Sequence, residues 1–261
     1  NSAHSSPEHL YAVLKLLHEQ GVKNVLLHLF TDGRDAAPFS AIRLIDKLLP
    51  HLMPGQRIAS LMGRFYAMDR NKLWHRTELA YNAMVLGQGI AAEDAKTAIL
   101  RSYNRGDSDE FILPTVIVDA KKRPLGTVGG NDSMIYFNLR SDRARQLSKP
   151  FVQPDFEKRN DHSFTRQYVA EHLHFTAMTD FGPDLPNMST AFPSRDVRHG
   201  LTETLGTDFR QFYIAESEKY AHVTYFFNGG FKAVRFGEER MRVPSRFVPH
   251  YDAVPEMRTS I

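Results

Sequence analysis

An apolar run that ends in a charged turn recurs along this chain and limits what it can fold into. The clearest case lies in residues 24–35, where the apolar run 25–30 leads into Asp32-Gly33-Arg34-Asp35. Such a run is typical of a buried strand in a parallel sheet. Open α/β sheets bind ligands beyond the carboxyl ends of their strands, so Arg34 and Asp35 are predicted to face a small anion. For this turn taken alone, a surface ion pair is the alternative interpretation.

The same pattern occurs twice more. A predicted strand at 57–62 runs into Gly63-Arg64, and one at 133–138 runs into a segment that carries Arg140 and Arg143. Arg140 and Arg143 would share a face if a helix began there. Further strands are predicted at 172–179 and, near a sheet edge because of Pro114, at 111–114 and 115–119. Amphipathic helices are predicted between the strands, at 7–21, 40–49, 74–86 and 92–104. This alternation predicts an α/β fold with a mainly parallel sheet flanked by helices.

Composition excludes several classes of protein. The 261 residues are 42% hydrophobic and 24% charged, which is typical of a globular chain. No segment reaches the roughly 20 apolar residues of a membrane-spanning helix, so no membrane association is predicted. The chain has no cysteine, which excludes disulfides and thiolate metal sites and fits a cytoplasmic location.

The basic residues are not arranged for nucleic-acid binding. The net charge is +3, from 33 basic and 30 acidic residues spread along the chain. Only the run 121–123 is densely basic, and it is predicted to be a solvated loop, so no nucleic-acid partner is expected. Several arginines instead lie in apolar or glycine-rich surroundings. Guanidinium groups in such places indicate capture of phosphate or carboxylate.

A proline-rich stretch divides the chain. Pro183, Pro186 and Pro193 mark a boundary, and the predicted organisation is a domain at 1–185, a linker at 186–200 and a segment at 201–261. About 60 residues give a thin core, so the last segment is expected to need a larger sheet to complete it.

Four motifs, taken in order, resemble one enzyme family. They are the turn 32–35, Gly-Arg-Phe-Tyr-Ala-Met-Asp-Arg at 63–70, Phe-Asn-Leu-Arg-Ser-Asp-Arg-Ala-Arg at 137–145, and Glu-Lys-Tyr-Ala-His-Val-Thr at 218–224. Together they resemble the cofactor-independent (2,3-bisphosphoglycerate-independent) phosphoglycerate mutases, across essentially the whole chain.

The resemblance implies a fold and an activity. Family members have an alkaline-phosphatase-like α/β domain, with two metal ions and a serine nucleophile, and a transferase domain inserted into it. They interconvert 3-phosphoglycerate and 2-phosphoglycerate, a step of glycolysis and gluconeogenesis, through a phosphoserine. Residues 1–185 would be the substrate-binding transferase domain, and 201–261 an incomplete part of the alkaline-phosphatase-like domain.

The resemblance also assigns site residues. Asp35 and Lys219 are the expected catalytic residues, with Asp35 exchanging a proton with the glycerate hydroxyls. The expected substrate-binding residues are His4, Arg34, Asp35, Arg64, Arg70, Arg140, Arg143 and Lys219. Guanidinium groups suit a substrate with a carboxylate and a dianionic phosphate, and they stabilise charge in phosphoryl transfer. Which arginine binds which group is left open.

This chain departs from the family pattern in two places. Around His4 the family is glycine-rich and has a second histidine, whereas this chain has Ser2, Ala3 and Ser6. No segment matches the nucleophilic serine or the metal-binding clusters. Two Mn²⁺ ions (or Mg²⁺ or Co²⁺) are therefore expected only for an intact enzyme, with no metal ligand in this chain, which alone would be inactive.

The expected partners are 3- and 2-phosphoglycerate and the remainder of the phosphatase domain, in a monomeric enzyme. The alternative is a non-catalytic module that binds phosphoacids and kept only the arginine cleft.

Overall fold

The chain forms two compact units. The structure is a computed structural model that describes residues 4–193, 197–231, 233–246, 248 and 254. The units are Asn1–Pro193 and Ser194–Ile261, and the division falls inside the predicted linker at 186–200. The identification of the units with named domains stays a prediction.

A four-stranded sheet forms one half of the first unit. Its strands are β1 (Val25–Thr31), β2 (Gln56–Gly63), β3 (Ile90–Ala92) and β4 (Thr115–Ile117), in the order β1-β2-β4-β3. Only the β2–β4 pairing among these is antiparallel. Thr31 and Gly63 are register partners, so β1 and β2 end side by side and their turns begin at the same edge.

Helices flank this sheet. They are α1 (Pro7–Glu19), α2 (Ala41–Leu48), α3 (Arg64–Ala67), α4 (Trp74–Val85) and α5 (Ala95–Asn104), with short 3-10 turns at Leu49–His51 and Asp109–Phe111. Leu14 of α1, Ile45 of α2 and Ile99 of α5 share one buried core with Leu61 of β2. The apolar spacing of these helices therefore corresponds to a buried face, as the sequence predicts.

A second, fully parallel sheet completes the first unit. It contains β5 (Ser133–Tyr136), β6 (His174–Ala177) and β7 (Met188–Thr190), and the helices α6 (Arg145–Val152) and α7 (Phe156–Arg159) lie between β5 and β6 in the chain. Met62 of β2, Tyr136 of β5 and Phe175 of β6 belong to one buried cluster. The two sheets thus share a core, which fixes the end of β5 relative to the end of β2.

The second unit is small. It contains α8 (Leu201–Leu205), β8 (Phe212–Glu216), α9 (Ser217–Ala221), a π-helical turn at His222–Phe226 and β9 (Glu239–Val243), with β8 and β9 parallel. The sequence of residues 240–261 predicts short strands and proline turns, and most of these residues lie outside the described part of the chain. The predicted fold class, mainly parallel sheets flanked by helices, is confirmed.

Two local predictions are wrong. Residues 111–114 are not a strand, because Asp109–Phe111 forms a 3-10 turn, and β4 begins after Pro114 and lies inside the sheet, not near its edge. The helix predicted from residue 92 begins at Ala95, since the carboxylate of Asp94 accepts from the Thr97 amide and caps it. The condition for Arg140 and Arg143 to share a helical face is not met, because a turn precedes α6 and no helix begins at Arg140.

Within the described residues, every helix is too short or too polar to cross a bilayer.

Candidate functional site

Arg64 is the centre of a buried polar group at the ends of β1 and β2. Its Nη1 lies 2.7 Å from Asp32 Oδ1 and 2.7 Å from Asp35 Oδ2. Its Nη2 lies 3.2 Å from Nε2 of His4, which is itself 3.5 Å from Asp35 Oδ2. Only 3% of Arg64 is exposed, so its charge is balanced by carboxylates instead of by water.

The local backbone explains why these groups meet. The carboxylate of Asp32 accepts hydrogen bonds of 3.0 Å from the amides of Arg34 and Asp35, which closes the turn. Gly33, at φ +67°, occupies the left-handed conformation that this turn needs. Arg64 follows the last residue of β2 directly, so parallel pairing of the two strands brings both turns together.

A second group forms around Asp142, after β5. Arg70 Nη1 lies 2.8 Å from Asp142 Oδ2, and Arg140 Nε lies 3.5 Å from Asp142 Oδ1. Arg143 donates a 3.1 Å hydrogen bond to the carbonyl of Met68, two residues before Arg70. The amide of Leu139 also donates to the carbonyl of His4 at 2.6 Å, so the segment after β5 is joined to the first group.

The two groups act on each other electrostatically. The pKa of Arg143 is lowered to about 10, first by burial and then by the charges of Arg70, Arg64 and Arg34. Burial also lowers the pKa of His4 to about 4, followed by the charges of Arg64 and Arg140. Arg34, Arg64, Arg70, Arg140 and Arg143 therefore form one set of neighbouring cations, called here the arginine cluster.

The carboxylates of the cluster are held in the ionised form. Burial raises the pKa of Asp35, but the hydrogen bond and the charge of Arg64 outweigh it, so this pKa lies below its ordinary value. For Asp142, burial is likewise outweighed by Arg140 and Arg70, and its pKa is lowered. At neutral pH the site thus contains neutral His4, ionised carboxylates and charged guanidinium groups.

The outer arginines are open to a ligand. The side chains of Arg34 and Arg140 are 36% and 43% exposed, whereas Arg64 is buried beneath. Fixed guanidinium donors with one accessible side can bind carboxylate and phosphate oxygens in pairs. The arrangement therefore suits a small ligand with more than one negative charge.

The structure places the predicted residues in two separate units. His4, Asp35 and the arginine cluster come together in the first unit. Lys219 is exposed on α9 of the second unit. Its assignment to the site stays a prediction.

Sequence reasoning missed three members of the site. Asp142 lies between Arg140 and Arg143, and this alternation of charges was a usable signal. Asp32 precedes the glycine of the turn, a position where a carboxylate commonly closes a turn. The carboxylate of Glu110 lies 3.6 Å from Arg34 Nη1. The two residues are 76 positions apart in the chain, and no local sequence pattern indicates that they meet.

The described residues do not supply a metal site. Within them, no group of three or more His, Cys, Asp or Glu side chains is arranged to hold a metal ion. The two metal ions expected for an intact enzyme, and their location outside this chain, stay a prediction.

Comparisons with known proteins identify the family of this chain. The family model described as BPG-independent PGAM N-terminus matches residues 1–183. A 2,3-bisphosphoglycerate-independent phosphoglycerate mutase of Thermomicrobium roseum is 46% identical over 257 residues, covering 97% of this chain and 48% of the relative. That of Methanosarcina acetivorans is 43% identical over 258 residues, covering 97% and 49%.

A solved structure gives the same result. A crystal structure of Leishmania mexicana phosphoglycerate mutase at low cobalt concentration superposes with a TM-score of 0.82 at 30% identity, covering 97% of this chain and 47% of the other. The chain spans about half the length of the curated relatives it matches. From the family model and these relatives together, the chain belongs to the 2,3-bisphosphoglycerate-independent phosphoglycerate mutases and corresponds to the N-terminal part of that family.

Proposed function

We propose that this chain supplies the substrate-binding part of an enzyme that interconverts 3-phosphoglycerate and 2-phosphoglycerate through a phosphoserine. The observation that carries the proposal is the convergence of five guanidinium groups, from three separate strand ends, on one partly exposed site. Arg34, Arg70, Arg140 and Arg143 would donate to the carboxylate or the phosphate of the substrate, and the buried Arg64 would add its positive charge behind them. The exposed positions of Arg34 and Arg140 support them as the first contacts.

Asp35 is the proposed general base and acid. Its side chain is 39% exposed, and Arg64 keeps it ionised, so it can accept a proton. When a glycerate hydroxyl attacks the phosphoserine, its oxygen–phosphorus bond forms as the serine–phosphorus bond breaks, and Asp35 would take the hydroxyl proton. That proton would then go to the glycerate oxygen that is released when a phosphoglycerate transfers its phosphoryl group to the serine. Nε2 of His4 lies 3.5 Å from Asp35 Oδ2, and because His4 is neutral it adds no second positive charge beside this carboxylate.

Other parts of the proposal concern the whole enzyme. The relatives are about twice as long as this chain, which supports assigning the serine nucleophile and two Mn²⁺ ions to residues outside it. Lys219 would approach the phosphoserine from the second unit. The enzyme is proposed to be a monomer of the cytoplasm that acts in glycolysis and gluconeogenesis.

Calorimetric titration with 3-phosphoglycerate tests the proposal. The wild-type chain is expected to bind it without turnover, because it lacks the nucleophile. Arg34→Ala and Arg143→Ala should each weaken binding at least tenfold, since a hydrogen bond between charged groups contributes about 1.5–3 kcal/mol. Arg143→Ala should weaken binding more than Arg34→Ala, because Arg143 is more buried. Its hydrogen bond to the carbonyl of Met68 also fixes the position of its guanidinium group.

Arg123→Ala is the matched control. Arg123 is also an ion-paired arginine, but its side chain is 69% exposed and its partner is Asp119 in a loop. This variant should bind as tightly as the wild type. Equal weakening in all three variants, or turnover by the pure chain without metal, would contradict the proposal.

A further inference from the structure

The 3-10 turn Asp109–Phe111 packs behind the site, and Asp109 is its most connected residue. Asp109 is 1% exposed. Its Oδ2 accepts from the Ser40 amide at 2.8 Å, the Ser40 hydroxyl at 3.2 Å and the Ala41 amide at 2.8 Å. Its Oδ1 accepts from the hydroxyl of Tyr103 at 2.5 Å. One buried carboxylate thus joins the start of α2, the end of α5 and the 3-10 turn.

The backbone of the same turn contacts both arginine-bearing turns. The hydroxyl of Thr31, one residue before Asp32, donates to the carbonyl of Asp109 at 2.6 Å. The amide of Gly63, one residue before Arg64, donates to the carbonyl of Ile112 at 2.7 Å. The 3-10 turn is therefore hydrogen-bonded to the last residue of β1, and Ile112, the residue that directly follows the turn, is hydrogen-bonded to the last residue of β2.

The two glycines show how closely the turn fits. A Cβ on Gly33 would lie 2.6 Å from the backbone nitrogen of Glu110, and a Cβ on Gly63 would lie 2.1 Å from its carbonyl oxygen. These neighbours are backbone atoms, which cannot move aside as a flexible side chain can. The carboxylate of Glu110 also lies 3.6 Å from Arg34 Nη1.

We propose that Asp109 is a positioning residue that sets the spacing of Arg34 and Arg64. Asp109 holds the 3-10 turn in place against α2 and α5. The 3-10 segment then fixes the positions of the two turns that contain Gly33 and Gly63. Asp109 contacts no part of the arginine cluster itself. The inference rests on the proposed function only for the ligand, 3-phosphoglycerate, whose oxygens require the arginines at a defined separation.

The first test needs no ligand. Side-chain Nε–Hε signals are recorded by NMR in the chain labelled with ¹⁵N-arginine. Tyr103→Phe removes one hydrogen bond to Asp109 and is expected to shift the signals of Arg34 and Arg64 while leaving those of Arg70 and Arg143 in place. Tyr81→Phe is the control, because its hydroxyl also donates one buried bond, 2.7 Å to the carbonyl of Tyr168, away from the 3-10 turn.

The second test is titration with 3-phosphoglycerate. Asp109→Ala removes all four bonds to the carboxylate and is expected to weaken binding at least tenfold. Asp109→Asn should recover most of this loss, since the amide oxygen can accept from the amides of Ser40 and Ala41 while its NH₂ group donates to Tyr103. Tyr103→Phe removes about one hydrogen bond and should weaken binding about threefold. If Asp109→Ala does not fold, the titration of Tyr103→Phe decides the outcome.

The outcomes separate the two claims. Unchanged Arg34 and Arg64 signals in Tyr103→Phe, or equal shifts in Tyr81→Phe, would overturn the role of Asp109. Failure of the wild-type chain to bind 3-phosphoglycerate would overturn the proposed function, and the NMR result would still decide the role of Asp109.

Discussion

Asp142 Oδ2 lies 2.8 Å from Arg70 Nη1, although 72 positions separate the two residues in the chain. The pair joins the turn after α3 to the segment after β5. Because Asp142 also lies 3.5 Å from Arg140 Nε, one carboxylate offsets the repulsion between two cations. A bound anion would take over part of that task.

Asp142→Asn is expected to lower the free energy of unfolding by about 2 kcal/mol, because it leaves partly buried guanidinium groups without their counter-charge. Inorganic phosphate should restore part of this loss, since a dianion bound at the cluster replaces the missing charge. The measurement is urea unfolding with and without phosphate.

Glu19→Gln is the control for Asp142→Asn. Glu19 pairs with Lys15 on the exposed surface of α1, where both side chains are more than half exposed, so its removal should leave unfolding unchanged. If phosphate stabilises the Asp142 variant no more than the wild type, Asp142 does not act as an internal counter-anion.

His4 should make stability fall in mild acid. Its pKa is about 4 in the folded chain and 6.5 when unperturbed, so the unfolded state takes up a proton first as the pH falls. Stability from this group is therefore complete above pH 6.5, declines between 6.5 and 4, and changes no further below 4. The shift corresponds to about 3 kcal/mol. Most of this loss, about 2.4 kcal/mol, falls between pH 7 and pH 4.5, and His4→Gln should remove it from the difference in unfolding free energy measured at these two values.

An exposed histidine serves as the comparison for His4. His75 lies on the surface of α4, and His75→Gln should show the same pH dependence as the wild type. Parallel stability curves for wild type and His4→Gln across this pH range would show that His4 is not held in its neutral form.

The sequence could predict the edge of the sheet at which the site forms. Each arginine-bearing turn follows an apolar strand directly, and parallel strands end at one edge, so Arg34 and Arg64 had to be neighbours once β1 and β2 paired. This inference needs only the order of apolar and polar residues along the chain. It does not extend to Arg140, because β5 lies in the second sheet and is placed next to β2 only by the core that the two sheets share.

The supports of the site could not be predicted in this way. Asp109 lies in a segment whose sequence resembles a loop before a strand, and its partner Ser40 is 69 positions away. His4 is buried because its backbone binds Leu139, a contact between distant parts of the chain with no local pattern. Long-range contacts of single polar groups leave no periodic signal, unlike strands and helices.

Gln146→Met is expected to destabilise the first unit by about 2–4 kcal/mol. Gln146 is 5% exposed; its Oε1 accepts from the Lys72 amide at 2.9 Å, and its Nε2 donates to Asp69 and Thr77 at 2.8 Å each. Methionine fills the space but removes the acceptor of the Lys72 amide and one donor to each of Asp69 and Thr77, while Asp69 keeps the amides of Asn71 and Leu73. Urea unfolding gives the loss, and faster hydrogen exchange of the Lys72 amide should accompany it.

The control for Gln146→Met is Gln88→Met, at an exposed position after α4. It should change stability little. A stability loss without faster exchange at Lys72 would assign the effect of Gln146→Met to packing and not to the lost hydrogen bonds.

Gly63→Ala should destabilise the chain by about 1–3 kcal/mol through a steric clash. At φ −68° the backbone would accept alanine, but the new Cβ would lie 2.1 Å from the carbonyl oxygen of Glu110. Gly200→Ala is the matched control, since Gly200 also precedes a short helix, at φ −67°, with open space around its Cβ position. Calorimetry should therefore show a lowered melting temperature for Gly63→Ala alone, whereas equal losses in both variants would assign the effect to the glycine backbone and not to the contact with Glu110.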